Sequence, residues 1–305
     1  MKQLSCGIIG CGRIGCAFDE SDGIIKTHAG AYTKNPLTKL VSICDIDKNK
    51  VKKYGEKFNV KNLYTNSAEM LKNERLDCVS ICTLIDSHLG LIKEASKYNI
   101  PGIFLEKPMS NSIKNTKEII DICKKKNITL VIDHQRRFDP FYHSIKKFIS
   151  QKNMGSVKFV HVYYGGGIVN TGTHIFDVLR LFFGECGSIK STQSKNMSGN
   201  KLDPNLDIIL EFVTGVVCYI NAVDIRNYNI LEMDIIGTRG RLMLNLASDT
   251  VNYFQVSKKN FVVYKKLTPK KIKFKRSPHS PIYLGVQNLI KSMHTNSVPL
   301  CSGYD

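Results

Sequence analysis

The chain has 305 residues, with 44 Lys and Arg against 26 Asp and Glu, a formal charge of +18, and 42% hydrophobic and 23% charged residues. This composition is globular, allows two domains of ordinary size, and excludes collagenous, low-complexity and intrinsically disordered classes. No apolar run reaches the roughly 18 residues of a membrane span, and the opening MKQLSCGIIGCGRIG reads as a strand entering a glycine loop instead of a cleavable leader, so a cytoplasmic location is expected.

Strand-like apolar runs fall at 4–10, 40–45, 63–65, 78–84, 102–106 and 129–133, with helical patterns between them at 47–58, 67–73, 87–98 and 112–126. That alternation builds a doubly wound parallel sheet of the Rossmann kind over residues 1–135, a nucleotide-binding fold. From residue 157 the pattern changes to longer alternating strands at 157–164, 206–212, 216–223, 231–236, 240–245, 251–256 and 261–267, with helices at 173–183 and 281–294. Residues 136–305 therefore read as a C-terminal α+β domain on a large, mostly antiparallel open sheet, expected to serve substrate binding and oligomerisation. An open sheet face needs a cover, so a homodimer or homotetramer is expected. The class is α/β plus α+β.

The basic balance alone suggests a nucleic-acid surface, and 265–276 (KKLTPKKIKFKR) suggests a basic arm. The stretch alternates, however. Val263, Lys265 and Leu267, then Ile272 and Phe274, stand at strand spacing, as in an edge strand protected by lysines. With no recognition motif beside the charge, no nucleic acid and no membrane is expected as partner, while an anionic small substrate fits the charge. The ten cysteines lie mostly within apolar strand-like runs and read as reduced, buried hydrophobes. Cys78 and Cys82 stand on one strand too far apart to share an ion, and no other spacing suits zinc, so no metal is expected.

GCGRIG at 10–15 satisfies GxGxxG between an apolar run and a helical one. Gly10 permits the tight turn, Gly12 lets backbone approach a pyrophosphate, and Gly15 allows close helix-to-strand packing. Gly10, Gly12, Arg13 and Ile14 are the expected phosphate-binding residues, aided by free N–H groups at the following helix N-terminus. Asp45, ending the second strand, accepts hydrogen bonds from a ribose and repels a 2′-phosphate, which favours NAD over NADP. It lies about ten residues beyond the usual spacing of ~20, an excess attributed to a polar insertion at 18–26 before a second helix near His28.

Glu106-Lys107-Pro108 closes the fifth strand at the sheet edge where ligands bind. Pro108 keeps Lys107 extended, so its ammonium projects toward the crevice, where it can orient a hydroxyl and stabilise a developing alkoxide. In the second domain, GGGIVNTGTHIFD at 165–177 places glycines before a helix. Thr173 is read as its cap and His174 lies in the first turn, where the helix dipole favours a neutral, basic imidazole. Asp177 is one turn on and orients the ring or makes a structural bond.

In this order and at these intervals, GCGRIG, ICD, EKP and GGGIVNTGTHIFDVLRLFFG resemble the glucose-fructose oxidoreductase / inositol dehydrogenase / rhizopine-catabolism (Gfo/Idh/MocA) family over nearly the whole chain. The resemblance implies an NAD(P)-dependent oxidoreductase that moves hydride between a nicotinamide cofactor and a hydroxyl or keto carbon of a sugar, sugar derivative or cyclitol, anionic and nucleotide-linked sugars included. It makes Lys107 the EKP lysine and His174 the acid/base histidine, and adds Thr83, Leu84, His88, Glu106, Lys107 and Gln135 to the cofactor residues. Asn170 stands where the family usually has Asp, and an amide positions a hydroxyl but takes no proton. The closing segment at 299–305 looks like the family stretch that precedes a last helix, and that helix is absent from the sequence. These two departures carry the alternative reading, a catalytically impaired NAD-binding regulatory homologue.

Overall fold

The structure, a computed structural model, describes residues 3–19, 24–261 and 263–305. The expected insertion at 18–26 and the expected strand at 261–267 each fall partly outside the described residues. The chain divides into two compact units, Met1–Asp139 with Ser277–Asp305, and Pro140–Arg276.

In the first unit β1 (Leu4–Ile9), β2 (Thr38–Cys44), β3 (Asn62–Tyr64), β4 (Cys78–Ile81), β5 (Gly102–Leu105) and β6 (Thr129–Ile132) form a sheet of order β3-β2-β1-β4-β5-β6. Every pairing is parallel. β1, β4, β5 and β6 are mostly buried runs, as strands covered on both faces must be, whereas the edge strand β3 is largely exposed. Crossovers run through α1 (His28–Lys34), α2 (Lys48–Phe58), α3 (Ser67–Asn73), α4 (His88–Ala95) and α5 (Ile113–Lys125). The helix starts are set by side chains that accept first-turn N–H groups: Thr27 for α1, Asp47 for α2, Asn66 for α3 and Ser112 for α5. The strand order reverses between β1 and β4, so the carboxyl ends of those strands face the switch-point crevice where such sheets bind dinucleotides.

The second unit holds β7 (Val157–Tyr164), β8 (Cys186–Gln193), β9 (Leu206–Phe212), β10 (Val217–Ala222), β11 (Leu231–Gly237), β12 (Gly240–Asn245), β13 (Thr250–Phe261) and β14 (Tyr264–Pro269) in the order β14-β13-β12-β11-β7-β10-β9-β8. All neighbours are antiparallel except β7 and β10. Two helices, α6 (Pro140–Ser150) and α7 (Thr173–Phe183), bury Phe141, Tyr142, Ile145, Val178, Leu179 and Phe182 with Val160, Val162, Ile220 and Leu242 of the strands. The lysine-rich β14 is an exposed edge strand, whereas Ile272 and Phe274 beyond it pack on this core.

The division differs from the expected boundary by a few residues at 136–139, which lie in the first unit, and by a whole segment at the chain end. Residues 277–305, assigned from chain order to the second domain, lie in the first unit. The reason is apolar: α8 (Pro281–Thr295) sinks Ile282, Val286, Leu289 and Ile290 into the core that holds Phe104 and Leu105 of β5. The chain end follows it, with Ile132 N–H donating to Cys301 O at 3.1 Å and Arg137 paired with Asp305 at 2.6 Å.

Candidate functional site

Each glycine of the loop after β1 has its own geometry. Gly10 takes φ +101°, and a Cβ there would lie 2.5 Å from Cys82 O. At Gly15 a Cβ would lie 2.0 Å from Gly10 O, so only hydrogen fits between turn and strand. Gly12 is open, with nothing within 4 Å of an added Cβ, which leaves room for a phosphate against bare backbone. These three environments match what a bound dinucleotide pyrophosphate requires of the loop. The helical turn carrying Arg13 and Ile14 is shorter than expected: Arg13–Ala17 makes one wide turn, with Cys16 and Ala17 N–H both donating to Gly12 O, and the regular helix begins only at His28.

Asp45 closes the loop from the side. Its Oδ2 accepts the Cys11 N–H at 2.7 Å and its Oδ1 the Asp47 N–H at 2.9 Å. Besides any ribose contact, the carboxylate thus fixes the glycine loop to the end of β2. After β4, the Thr83 hydroxyl bonds Ser87 Oγ at 2.6 Å and Leu84 is 83% exposed. His88, expected beside the cofactor, is buried between the Thr83 and Met109 carbonyls at 3.1 and 3.2 Å, and burial pushes its pKa down. It ties the loop after β4 to the loop after β5.

At the end of β5 Lys107 is half-buried and the Lys107–Pro108 peptide is cis. Glu106 turns inward: its Oε1 meets His28 Nε2 at 2.9 Å, and Asp133 Oδ2 at the end of β6 lies 3.5 Å from the same nitrogen. Gln135 donates to that Asp133 oxygen at 3.2 Å. Burial, with the Asp133 charge beside it, pushes the Glu106 pKa up to about 7. Burial opposes charge on His28 too, but Cys82, Asp133 and Glu106 outweigh it and hold the ring well above the ordinary imidazole range. Asp133 is held low, its burial outweighed by the His28 hydrogen bond and charge. The three residues bring ligand-type atoms within 4.8 Å of one another, a grouping that no spacing in the sequence reveals because they stand at 28, 106 and 133. His28 and Asp133 are the residues that motif reasoning passes over. A histidine opening the helix after the glycine loop and an acid closing the sixth strand are the signals that mark them.

In the second unit a wide helical turn, Ile168–Gly172, runs without a break into α7. Thr173 is therefore the first residue of α7 and not its cap; its hydroxyl donates to Val169 O at 3.0 Å. Asn170 and His174, four apart along this helical stretch, share a face. Asn170 is exposed, His174 half-buried and Asp177 buried. The turn is clamped by the segment before β9. Asp203 accepts the Val169 and Asn170 N–H groups at 2.8 and 2.9 Å, Pro204 O the Ile168 N–H at 3.1 Å, and Asn205 Oδ1 the Gly167 N–H at 3.0 Å.

The comparisons agree with this geometry. A family model described as an oxidoreductase family with an NAD-binding Rossmann fold (GFO/IDH/MocA) matches residues 4–134, and the GFO/IDH/MocA C-terminal domain matches residues 160–243. Among curated relatives, the uncharacterized oxidoreductase YrbE of Bacillus subtilis is 27% identical over 197 residues, 60% of this chain and 54% of the relative. A D-apiose dehydrogenase of Paraburkholderia graminis is 21% identical over 269 residues, 80% of this chain and 68% of the relative. The myo-inositol 2-dehydrogenase of Thermotoga maritima is 22% identical over 269 residues, 81% of this chain and 77% of the relative. This chain thus spans about half the length of the first of these and more of the other two. Of solved structures, a putative NADPH-dependent oxidoreductase from Desulfitobacterium hafniense has a TM-score of 0.83 at 18% identity, covering 100% of this chain and 92% of that one. The WlbA dehydrogenase of Bordetella pertussis, in complex with NADH and UDP-GlcNAcA, has a TM-score of 0.77 at 18% identity, covering 99% and 92%. The chain belongs to the Gfo/Idh/MocA oxidoreductase family, and its first unit is an NAD-binding Rossmann domain.

Proposed function

From this membership we propose that the protein is an NAD-dependent dehydrogenase acting on a hydroxyl carbon of a sugar, sugar derivative or cyclitol. The observation that carries the reading is the lysine that follows Glu106 at the carboxyl end of β5, in a sheet whose glycine loop leaves open backbone at Gly12. The named relatives act on an apiose and an inositol, which supports the substrate class. Asp45 supports NAD over NADP, because a carboxylate repels a 2′-phosphate.

Bound NAD supplies the hydride acceptor. Gly10, Gly12, Arg13 and Ile14 offer backbone to the pyrophosphate, and Thr83, Leu84 and Gln135 border the rest of the dinucleotide. Lys107 holds the substrate hydroxyl and favours its developing negative charge, Asn170 orients it by hydrogen bonding, and His174 accepts its proton. Asn170 has no proton to take up or give away, so base catalysis falls to the imidazole. The domain roles follow: the first unit binds cofactor, and the second binds substrate and builds the oligomer.

Lys107→Ala and His174→Ala test this. Each is expected to lose at least about 100-fold in NAD reduction while NADH affinity stays within a few-fold of wild type. Unchanged turnover in both variants would remove these residues from the chemistry. An absence of turnover in the wild type, with NADH bound, would favour the regulatory homologue that Asn170 suggests.

A further inference from the structure

We propose that His28 is a positioning residue for the cofactor site: a buried, permanently charged imidazolium that joins the carboxylates ending β5 and β6 and so fixes the backbone from which Lys107 and Gln135 leave the sheet. The claim about charge starts from hydrogen bonding. The ring is fully buried, and its Nδ1 lies 2.9 Å from Ser80 Oγ. The Ser80 hydroxyl donates its proton to Tyr32 Oη at 2.8 Å, so toward His28 it accepts. On the other side Nε2 faces Glu106 Oε1 at 2.9 Å and Asp133 Oδ2 at 3.5 Å. An acceptor at each nitrogen calls for a proton on each, which is the imidazolium.

Placement gives the charge its consequence. Glu106 immediately precedes Lys107, and Asp133 lies two residues before Gln135 and accepts from its side chain. Two carboxylates this close repel unless a cation lies between them. His28 is that cation, held in plane by Ser80 and packed edge-on to Phe104 of β5 at 4.7 Å. The ionisable groups facing it are Glu106 from β5, Asp133 from β6, Cys82 from the end of β4 and, through Ser80, Tyr32 of its own helix. The burial that keeps Glu106 near neutrality lets the cluster shed one negative charge below about pH 7. Removing the cation should therefore do little at acid pH and much at alkaline pH. The effect on Lys107 chemistry rests on the dehydrogenase reading; the effect on cofactor affinity does not.

The test uses NADH and needs no substrate. In the full chain labelled with ¹⁵N-histidine, the resonances that vanish in His28→Gln should show both ring nitrogens protonated at pH 8.5, where exposed histidines are neutral. NADH affinity, read by fluorescence titration, should fall about tenfold or more in His28→Gln at pH 8.5 and only slightly at pH 6. Glu106→Gln added to His28→Gln should restore most of it at pH 8.5. A neutral His28 ring in the wild type, its resonances then assigned by backbone-to-ring correlations in the wild type itself, overturns the proposal even if no variant folds. So does a loss in His28→Gln that is equal at both pH values and is not recovered by Glu106→Gln, the pattern of a ring that merely fills space.

Discussion

Glu106 shows how one position can combine motif and structure. Its carboxylate belongs to the EKP sequence that marks the site, yet it points into the protein, against His28 and Asp133. Its folded pKa, up to about 7, exceeds its ordinary value, so the native state holds a proton there that the unfolded chain releases at lower pH. The stability this contributes is complete below about pH 4.5 and is lost as pH rises through 7. Asp133, held low, has the opposite sign, its contribution fading only as pH falls through its depressed pKa. Against Glu106→Gln, wild-type stability should therefore decline by on the order of 2 kcal/mol between pH 5.5 and 8.5. Paired thermal melts at the two pH values check this, and a gap that stays constant would mean Glu106 does not titrate in this range.

At the level of elements, the strand-to-helix turns hold the candidate residues, and glycines make them possible. Gly167 takes φ +92°, and a Cβ there would lie 2.1 Å from Asp203 Oδ2, the oxygen that accepts the Asn170 N–H. Gly167→Ala should thus cost about 2–3 kcal/mol and loosen the turn carrying Asn170, through strain and displacement of the clamp together. Thermal melting would show the loss; a melt unchanged within about a degree would refute the clamp. Much of this architecture is legible in the sequence. The alternation of apolar runs gives all six parallel strands, and GCGRIG and EKP lie where the sheet places them. What escapes has physical reasons. β8 is exposed along its whole length, so it shows no buried periodicity. The one-turn helix at Arg13–Ala17 follows from Gly12 O accepting two N–H groups. Thr173 looks like a cap because the helical turn before it contains glycine, which carries no helical pattern. Asp203 and Asn205 lie more than thirty residues from the turn they hold. His28, Glu106 and Asp133 meet only because parallel strands bring their ends to one edge.

On the scale of the whole molecule, chain order and spatial order part company at residue 277, where α8 returns to the first unit because its apolar stripe matches that core. The outward face of the second sheet keeps Phe159, Ile209 and Tyr219 about 40% exposed beside polar neighbours. We propose that a second copy covers this face, giving a homodimer or homotetramer. Light scattering should then return a multiple of the 34.4 kDa chain mass, and Tyr219→Lys with Ile209→Lys should shift it toward the monomer; a monomeric wild type would contradict the assignment. The central claim, that Lys107 and His174 serve one dehydrogenation, is tested most directly by following NADH formation from NAD across a panel of aldoses, sugar acids, nucleotide sugars and inositols. Turnover of at least one of them, abolished by Lys107→Ala and by His174→Ala with NADH still bound, is the expected result. NADH binding without turnover of any of them, or turnover untouched by both substitutions, would contradict it.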